Sequence, residues 1–269
     1  MTDMKTIAEP KAGPAAASGP ADEGGSLSLS CDVDRTNATL RAVALLILLV
    51  LVLFAAVRFH MWQTPPEMKQ QLVLVNPWNP VSEIAYTPKL TEIEDGFLAD
   101  RMCAEAARRM LADCRAAGCR PMILSAYRSV DDQLVLYDAE VQRLVDRGFS
   151  PELAEEEVSR KIAAPGRSEH ELGLALDLVD EDFTETSDRQ AQTDTARWLK
   201  ENAWRYGFIQ RYPEGTEEET GYAWHPWHYR YVGEGAAGNM HSLGITLEKY
   251  LLMFYSEEAS VVYEKNKEQ

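Results

Sequence analysis

The sequence predicts an α+β fold for most of the chain. Segments with the apolar spacing of helices are mixed with short apolar segments typical of strands, and there is no regular strand–helix–strand repeat. The length of 269 residues accommodates one domain of about 200 residues plus an appendage. The appendage lies at the N-terminus, because a continuous apolar segment near residue 50 separates a polar stretch from the region of mixed elements.

The N-terminal region has three predicted parts. Residues 1–40 are rich in small and polar residues without an apolar period, which predicts a disordered tail. Residues 41–59 are predicted to form one transmembrane helix, because Ala42–Val57 contains no charge and is close to the length that a membrane span needs. A cleaved signal peptide is the alternative, but such a peptide does not follow a long polar stretch. Residues 60–71 are then a juxtamembrane linker.

The folded domain is predicted at residues 72–257, before a C-terminal tail at 258–269. Apolar residues recur every four positions from Leu98 to Cys114, which predicts a helix over 97–117. Further helices are predicted from amphipathic spacing and capping residues at 131–147, 151–162, 193–206 and 246–255. Short apolar segments predict strands at 121–126, 174–179, 208–212 and 223–232.

The charge balance excludes one class of partner. The formal net charge is −16 and the isoelectric point is near 4.8. A chain this acidic is repelled by the phosphates of nucleic acid, so no nucleic-acid role is expected. A substrate with a carboxylate remains compatible, provided that local cationic side chains hold it.

Two of the four cysteines are close in sequence. Cys114 and Cys119 flank the predicted end of a helix and could form a disulfide in an oxidising compartment. The alternative is that both are buried free thiols, which pack as small apolar side chains.

Three potential metal ligands lie in two short segments. His170 and Asp177 lie in SEHELGLALD, and His228 lies in HPWHYRYVG. Catalytic zinc takes three ligands from His, Asp or Glu and leaves a fourth position open. Asp177 lies inside an apolar strand, where a carboxylate is costly unless a cation compensates it, and Gly173 allows the bend that brings His170 back. From spacing alone, a buried core histidine with an Asp that caps a turn is the alternative.

These motifs resemble the VanY-type zinc D-Ala-D-Ala carboxypeptidases. The pattern S-E-H-x-x-G-L-A-x-D followed by P-W-H-Y-R-Y-V-G carries the resemblance, which covers nearly the whole domain. LVLVNPWNP at 72–80 resembles the entry strand of that family, and SAYRS at 125–129 with Gln133 and NAWRYGFIQRYP at 202–213 resemble further motifs in the same order. The resemblance implies a small antiparallel sheet flanked by helices, with a zinc cleft of the hedgehog and D,D-peptidase-like type.

The resemblance also implies roles for individual residues. It makes His170, Asp177 and His228 the ligands of one zinc ion per chain. Arg128 matches the arginine that pairs with the C-terminal carboxylate of the substrate, and a guanidinium suits a carboxylate because it can bind both oxygens. Ser168 and Gln133 match positions near the substrate. The two carboxylates beside the first ligand, Glu169 and Glu171, are expected to face solvent.

One position departs from the family pattern. The family has Glu three residues before the last histidine ligand, as the general base, and this chain has His225. His225 could be the base, since imidazole has a suitable pKa near 6.5. It could instead be a fourth metal ligand, or it could mark a pseudoenzyme that only binds wall peptides.

The expected function is removal of the C-terminal D-alanine from peptidoglycan stem peptides. The alternatives are an L,D-carboxypeptidase that acts on tetrapeptide stems and a non-catalytic membrane-anchored module that binds wall peptides. Positive charges on the two sides of the apolar segment do not set its orientation. The function therefore assigns it: a single-pass protein of the cell membrane with a cytoplasmic N-terminus and an extracytoplasmic domain.

Overall fold

The structure is a computed structural model that describes residues 40–55 and 70–255, and the chain divides into two compact units, Met1–Val57 and Arg58–Gln269. In the first unit, residues 40–55 form one helix, α1. None of the helices within the two described ranges is both long enough and apolar enough to cross a membrane. The predicted span extends past α1 into residues 56–59, which lie outside those ranges, as do residues 1–39, most of the linker and the C-terminal tail. These predictions stay predictions.

The second unit contains two antiparallel sheets. A hairpin pairs β1 (Leu90–Glu92) with β2 (Leu98–Asp100). The larger sheet contains β3 (Pro121–Ser125), β4 (Ala175–Asp180), β5 (Phe208–Tyr212) and β6 (His225–Tyr231). Its strand order is β3-β4-β6-β5, so β4 and β6 are the two central strands. The predicted small antiparallel sheet is confirmed.

Helices surround these sheets, as the α+β prediction requires. The α-helices of this unit are α2 (Arg101–Ala116), α3 (Val130–Asp146), α4 (Pro151–Ser159), α5 (Asp194–Asn202), α6 (Glu217–Thr220), α7 (Glu234–Leu243) and α8 (Leu247–Phe254). Short 3-10 helices lie at Val81–Glu83, Glu169–Leu172, Asp188–Gln192 and Ala203–Tyr206.

Capping side chains explain where the helices begin. Asp100 accepts a hydrogen bond from the backbone N–H of Met102 at 2.8 Å, so α2 begins at Arg101 and not at the predicted residue 97. The residues before Asp100 pair with β1 instead. Ser129 and Asp132 form a capping box at the start of α3, and Ser150 caps α4 as predicted.

The main core lies between α2 and one face of the large sheet. Leu176 and Leu178 of β4 pack with Met110 of α2 and Phe208 of β5, and all four side chains are buried. Successive residues of a strand point to opposite faces. Asp177, between the two leucines, therefore points away from this core and toward the face that carries the site.

A second core holds the C-terminal helices and contains a helix that the sequence did not predict. Met240 of α7 packs with Leu247 and Tyr250 of α8 and with Val232. The two glycines of α7, Gly235 and Gly238, lower its intrinsic helix propensity. Packing against α8 and the chain after β6 provides the stabilisation that local sequence lacks.

Residues 72–75, which resemble an entry strand, form no strand in the structure. Val75 is fully buried, as a strand-like apolar segment would be. However, the carbonyl of Val73 accepts a hydrogen bond from Nη2 of Arg230 at 2.8 Å. A buried side chain therefore takes the place of a partner strand at this carbonyl.

Candidate active site

His170, Asp177 and His228 lie together at the central strands, with one ligand atom of each within 4.8 Å of the others. Asp177 on β4 and His228 on β6 are direct cross-strand partners, so their side chains share one face of the sheet. His170 lies in the 3-10 helix before β4, and Gly173 ends that helix with a φ of 65°. A Cβ on Gly173 would lie 3.0 Å from the backbone nitrogen of Asp100, which explains why glycine occupies this bend.

Hydrogen bonds on the outer side of the two histidines determine which nitrogens face the centre. Nδ1 of His170 lies 2.6 Å from the carbonyl oxygen of Ala126, and its Nε2 lies 3.2 Å from Oδ2 of Asp177. Nε2 of His228 lies 3.3 Å from Oε2 of Glu169, and its Nδ1 lies 2.8 Å from Oδ1 of Asp177. Each histidine thus has one ring nitrogen beside an outer oxygen and the other ring nitrogen beside Asp177.

This arrangement fits a zinc ion. Two imidazole nitrogens and a carboxylate oxygen form the ligand set of many catalytic zinc sites, which keep a fourth position for water or substrate. Metal-binding histidines usually donate their other N–H to a carbonyl or carboxylate, and each histidine here has such an oxygen within hydrogen-bonding distance of its outer nitrogen. The structure thus brings together the three predicted ligands in a geometry suited to the predicted cofactor.

The charges within the triad favour the metal-binding forms of Asp177 and His170, whereas His228 is held in its protonated form and must release a proton before it binds a metal. Burial alone would raise the pKa of Asp177, but His170 and His228 hold it well below its usual value. Burial lowers the pKa of His170, against the opposing charge of Asp177. Burial acts in the same direction on His228, yet its hydrogen bonds to Asp177 and Glu169 raise its pKa. At neutral pH the carboxylate is ionised and His170 is neutral, as metal binding requires.

The triad lies in the wall of a cavity of about 500 Å³, which Arg128, Ser168 and His225 also line. Ser168 is buried, and its Oγ accepts a hydrogen bond from the backbone N–H of His170 at 3.3 Å. Ser168 therefore caps the 3-10 helix that carries the first ligand, in addition to lining the cavity.

Within residues 40–55 and 70–255, the guanidinium of Arg128 has no ion-pair partner. Its Nε donates to Oε1 of Gln133 and its Nη1 to Oγ of Ser125, each at 3.0 Å. Among the described residues, no carboxylate lies within 4.0 Å of it. Burial lowers the pKa of Arg128, while the nearby charges of Asp177 and Glu171 oppose that shift. A partly buried cation in a cavity wall, already oriented by two neutral groups, is suited to a ligand carboxylate.

Gln133 lies behind Arg128 and not in the cavity wall. It is fully buried, and its Nε2 donates to the carbonyl of Ala163 at 2.6 Å. Its amide oxygen therefore holds Arg128 from a fixed position. Direct contact between Gln133 and a substrate stays a prediction, whereas its contact with Arg128 is explicit in the structure.

His225 is nearly buried between two aromatic rings. Trp227 stacks on it with ring centroids 4.9 Å apart, and Tyr212 meets it edge-on at 5.4 Å. Its Nε2 is buried and has no hydrogen-bond partner within the described residues. Burial, followed by the charge of His228, lowers the pKa of His225 to about 4. His225 lines the same cavity but is not part of the group of potential metal ligands among the described residues, so the geometry does not support a fourth ligand.

The expectation that Glu169 and Glu171 face solvent is wrong. Glu169 is 1% exposed and Glu171 is 5% exposed. Glu169 forms ion pairs with Arg211 and Arg230, both of which are fully buried. The signal that could have revealed this burial is the presence of these arginines inside two predicted strands. The carbonyl of Ala126, which orients His170, leaves no signal in the sequence.

Comparison with known proteins gives consistent results. Residues 97–234 match the VanY family model, described as D-alanyl-D-alanine carboxypeptidase. A D-alanyl-D-alanine carboxypeptidase of Enterococcus faecalis is 36% identical over 185 residues, which cover 69% of this chain and 67% of that protein.

Two solved structures are similar over most of the second unit. One is a mutant of the vancomycin resistance D,D-pentapeptidase VanY from a VanB-type resistance cassette in complex with Zn(II). It is 35% identical, with a TM-score of 0.61 over 68% of this chain and 99% of that one. The other is VanYB in complex with D-alanine-D-alanine. It is 36% identical, with a TM-score of 0.61 over 67% of this chain and 97% of that one.

Proposed function

The chain belongs to the VanY family of D-alanyl-D-alanine carboxypeptidases, and from that premise we propose that it removes the C-terminal D-alanine from peptidoglycan stem peptides. The observation that carries the proposal is the combination of the His170–Asp177–His228 triad with Arg128, which has no ion-pair partner among the described residues, in the same cavity wall. The triad suits a metal that acts on an amide, and the arginine suits a free carboxylate at the end of the chain to be cut.

The side chains of the site have separate roles in hydrolysis. Nε2 of His170, the carboxylate of Asp177 and Nδ1 of His228 would hold one zinc ion. Zinc, when bound, supplies a Lewis acid that polarises the scissile carbonyl and lowers the pKa of water. Arg128 holds the terminal carboxylate and so fixes which amide enters the site. His225, in the wall of the same cavity, would accept a proton from the attacking water and donate it to the leaving amine.

The space beside the catalytic cavity supports a substrate longer than a dipeptide. A second cavity, of about 780 Å³, continues from the first and shares Lys161, His225 and Trp227 with it. This second cavity is also lined by Trp224. A peptide whose C-terminus lies at Arg128 would have room there for the residues that precede the scissile bond.

The proposal is tested by mass spectrometry of stem peptides incubated with the zinc-loaded protein. A pentapeptide that ends in D-Ala-D-Ala should lose one alanine and accumulate as the tetrapeptide. Loss of a residue from the tetrapeptide instead would indicate L,D-carboxypeptidase activity. Binding of the pentapeptide without any hydrolysis would support the non-catalytic alternative.

Arg128 should control the preference for a free C-terminus. In the wild type, a peptide with an amidated C-terminus should be a poor substrate, because it lacks the carboxylate that Arg128 holds. Arg128→Ala should lower kcat/KM on the free peptide roughly 10- to 150-fold, which corresponds to about 1.5–3 kcal/mol for a charge-assisted pair. The same change should remove most of the difference between the two peptides.

A matched control for Arg128 is Arg160→Ala, which removes an exposed arginine paired with Glu156 away from the cavity. Its kinetics should equal those of the wild type. Equal turnover of free and amidated peptides by the wild type would exclude a carboxylate clamp.

The location of the protein is a further part of the proposal. We propose that residues 41–59 anchor the chain in the cell membrane, with the N-terminus in the cytoplasm and the catalytic domain outside. The support is the uncharged segment Ala42–Val57 and the location of the proposed substrate. A reporter enzyme that functions only outside the cytoplasm, fused after residue 269, should be active in the full chain and inactive when residues 1–59 are deleted. Activity confined to a cytoplasmic reporter at the same position would contradict this topology.

A further inference from the structure

A network of buried ion pairs connects the triad to the C-terminal helix. This ion-pair network contains Glu169, Arg211, Arg230 and Glu248. Oε2 of Glu169 lies 3.3 Å from Nε2 of His228, on the side of the ring that faces away from Asp177. Oε1 of the same carboxylate accepts hydrogen bonds from Nε of Arg211 at 2.8 Å and from Nη1 of Arg230 at 2.7 Å. Glu169 thus connects a metal ligand to two guanidinium groups.

The ion-pair network continues from Arg211 to α8. Nη1 and Nη2 of Arg211 donate to the two carboxylate oxygens of Glu248 at 2.8 Å and 2.6 Å, which is a bidentate pair. Glu248 also accepts a hydrogen bond from Nδ2 of Asn76 at 3.3 Å. The side chains of Glu169, Arg211 and Glu248 are between 0% and 4% exposed, so water does not screen these interactions.

The stability of the fold alone does not explain such an ion-pair network. Buried ion pairs recover little more than the cost of removing their charges from water, and apolar side chains of similar volume often stabilise a core equally well. An ion-pair network does fix the orientation of its side chains, because each bidentate or charge-assisted contact restricts the next group. Here the network ends at the imidazole of His228, a candidate metal ligand.

We propose that Glu248 on α8 is a positioning residue for the metal centre, which acts through Arg211 and Glu169 to hold His228 with Nδ1 toward the metal. Glu248 lies outside residues 97–234, which match the family. The proposal rests on the zinc site of the proposed function but not on the identity of the substrate. It assigns α8 a role in metal binding although no residue of α8 is a ligand.

The test compares metal binding by three full-length proteins: wild type, Glu248→Gln and Leu251→Ala. Glutamine keeps the shape of Glu248 but removes its charge, so Arg211 loses its bidentate ionic partner. Leu251 lies in the second core on the same helix. Its truncation weakens the packing of α8 and leaves the ion-pair network unchanged. The zinc dissociation constant is measured by competition with a chromophoric chelator, and the Co(II) form is examined by its visible absorption spectrum.

Glu248→Gln should bind zinc about tenfold more weakly, the lower end of the effect expected when residues that orient metal ligands are changed. Its Co(II) absorption should change in position or intensity, because the orientation of His228 changes. Leu251→Ala should keep the zinc affinity and Co(II) spectrum of the wild type, even though it unfolds at a lower temperature. Equal zinc affinity in Glu248→Gln and wild type, or equal weakening in both variants, would overturn the proposal.

A second variant covers the case in which Glu248→Gln does not fold. Arg211→Met combined with Glu248→Leu removes both charges of the bidentate pair and leaves apolar side chains in their place, a change that buried ion pairs often tolerate. This folded double variant should also bind zinc more weakly, and wild-type affinity would again overturn the proposal. Peptide hydrolysis is measured separately, so an inactive wild type that binds zinc would contradict the proposed function without affecting this inference.

Discussion

Replacing Asp177 with alanine is expected to remove zinc binding and peptide hydrolysis together. The Asp177 carboxylate lies 3.2 Å from Nε2 of His170 and 2.8 Å from Nδ1 of His228, at the centre of the triad. Without it the site loses its only anionic ligand, and two neutral imidazoles remain. Residues that merely orient a metal ligand contribute roughly 10–100-fold to affinity, so loss of a ligand should exceed that range.

The measurement is zinc content per chain after dialysis, alongside turnover of a pentapeptide. His228→Ala should behave as Asp177→Ala does. Asp180→Asn is the matched control, since Asp180 is another buried aspartate on β4 that accepts a hydrogen bond from Thr195 away from the cavity. Full zinc occupancy in Asp177→Ala, with occupancy unchanged in Asp180→Asn, would show that the ligand assignment is wrong.

Replacing His225 with alanine is expected to preserve zinc and lower kcat by about 10²–10⁴, the usual contribution of a positioned general base. His225 lines the cavity with the triad, but it lies outside the group of potential ligands. The loss should lie toward the lower end of that range. A base with a pKa of about 4 is a weaker proton acceptor than one whose pKa lies near the working pH.

The low pKa of His225 sets the direction of the pH dependence. Only neutral imidazole can accept a proton, so activity requires a pH above the pKa of this group. Burial and neighbouring His228 lower that pKa to about 4, and the charge of a bound zinc ion would lower it further. As far as His225 is concerned, kcat/KM of the zinc-saturated protein should stay constant from pH 8 to about pH 5. An acidic limb near pH 6.5 that disappears in His225→Ala would contradict the lowered pKa of His225, although it would identify this residue as the base.

His225→Glu separates a working base from a pseudoenzyme. Glutamate at this position recreates the E-P-W-H pattern that the family resemblance implies, so this variant should be more active than His225→Ala and should keep its zinc. An inert wild type that gains activity in His225→Glu would identify the chain as a pseudoenzyme. Wild-type kinetics in His225→Ala would exclude a catalytic role for this residue.

Much of the site was predictable because the chemistry of a ligand is visible in local sequence. Asp177 in an apolar strand requires a compensating cation, and a histidine on either side of it in sequence provides a metal site. Element positions followed from apolar spacing in the same way, and β5 occupies the predicted residues 208–212 from end to end. These inferences need only side-chain chemistry and the periods of helices and strands.

Tertiary structure alone decided which charged residues are buried and what they contact. Glu169 pairs with arginines that lie 42 and 61 residues away in sequence, and nothing in its own segment indicates their approach. Gln133 supports Arg128 from behind because the chain near Ala163 packs against α3 and accepts its amide N–H.

The sequence by itself therefore predicted the α+β class, three candidate metal ligands and the family to which the chain belongs. The structure decided how the candidate ligands are oriented and that α7 forms despite its glycines. It also showed that the carbonyl of Val73 accepts a hydrogen bond from Arg230 instead of pairing with a strand. The physical reason is that ligand chemistry and periodicity are properties of short segments. Burial and hydrogen-bond partners are instead properties of contacts between segments that meet only after the chain has folded.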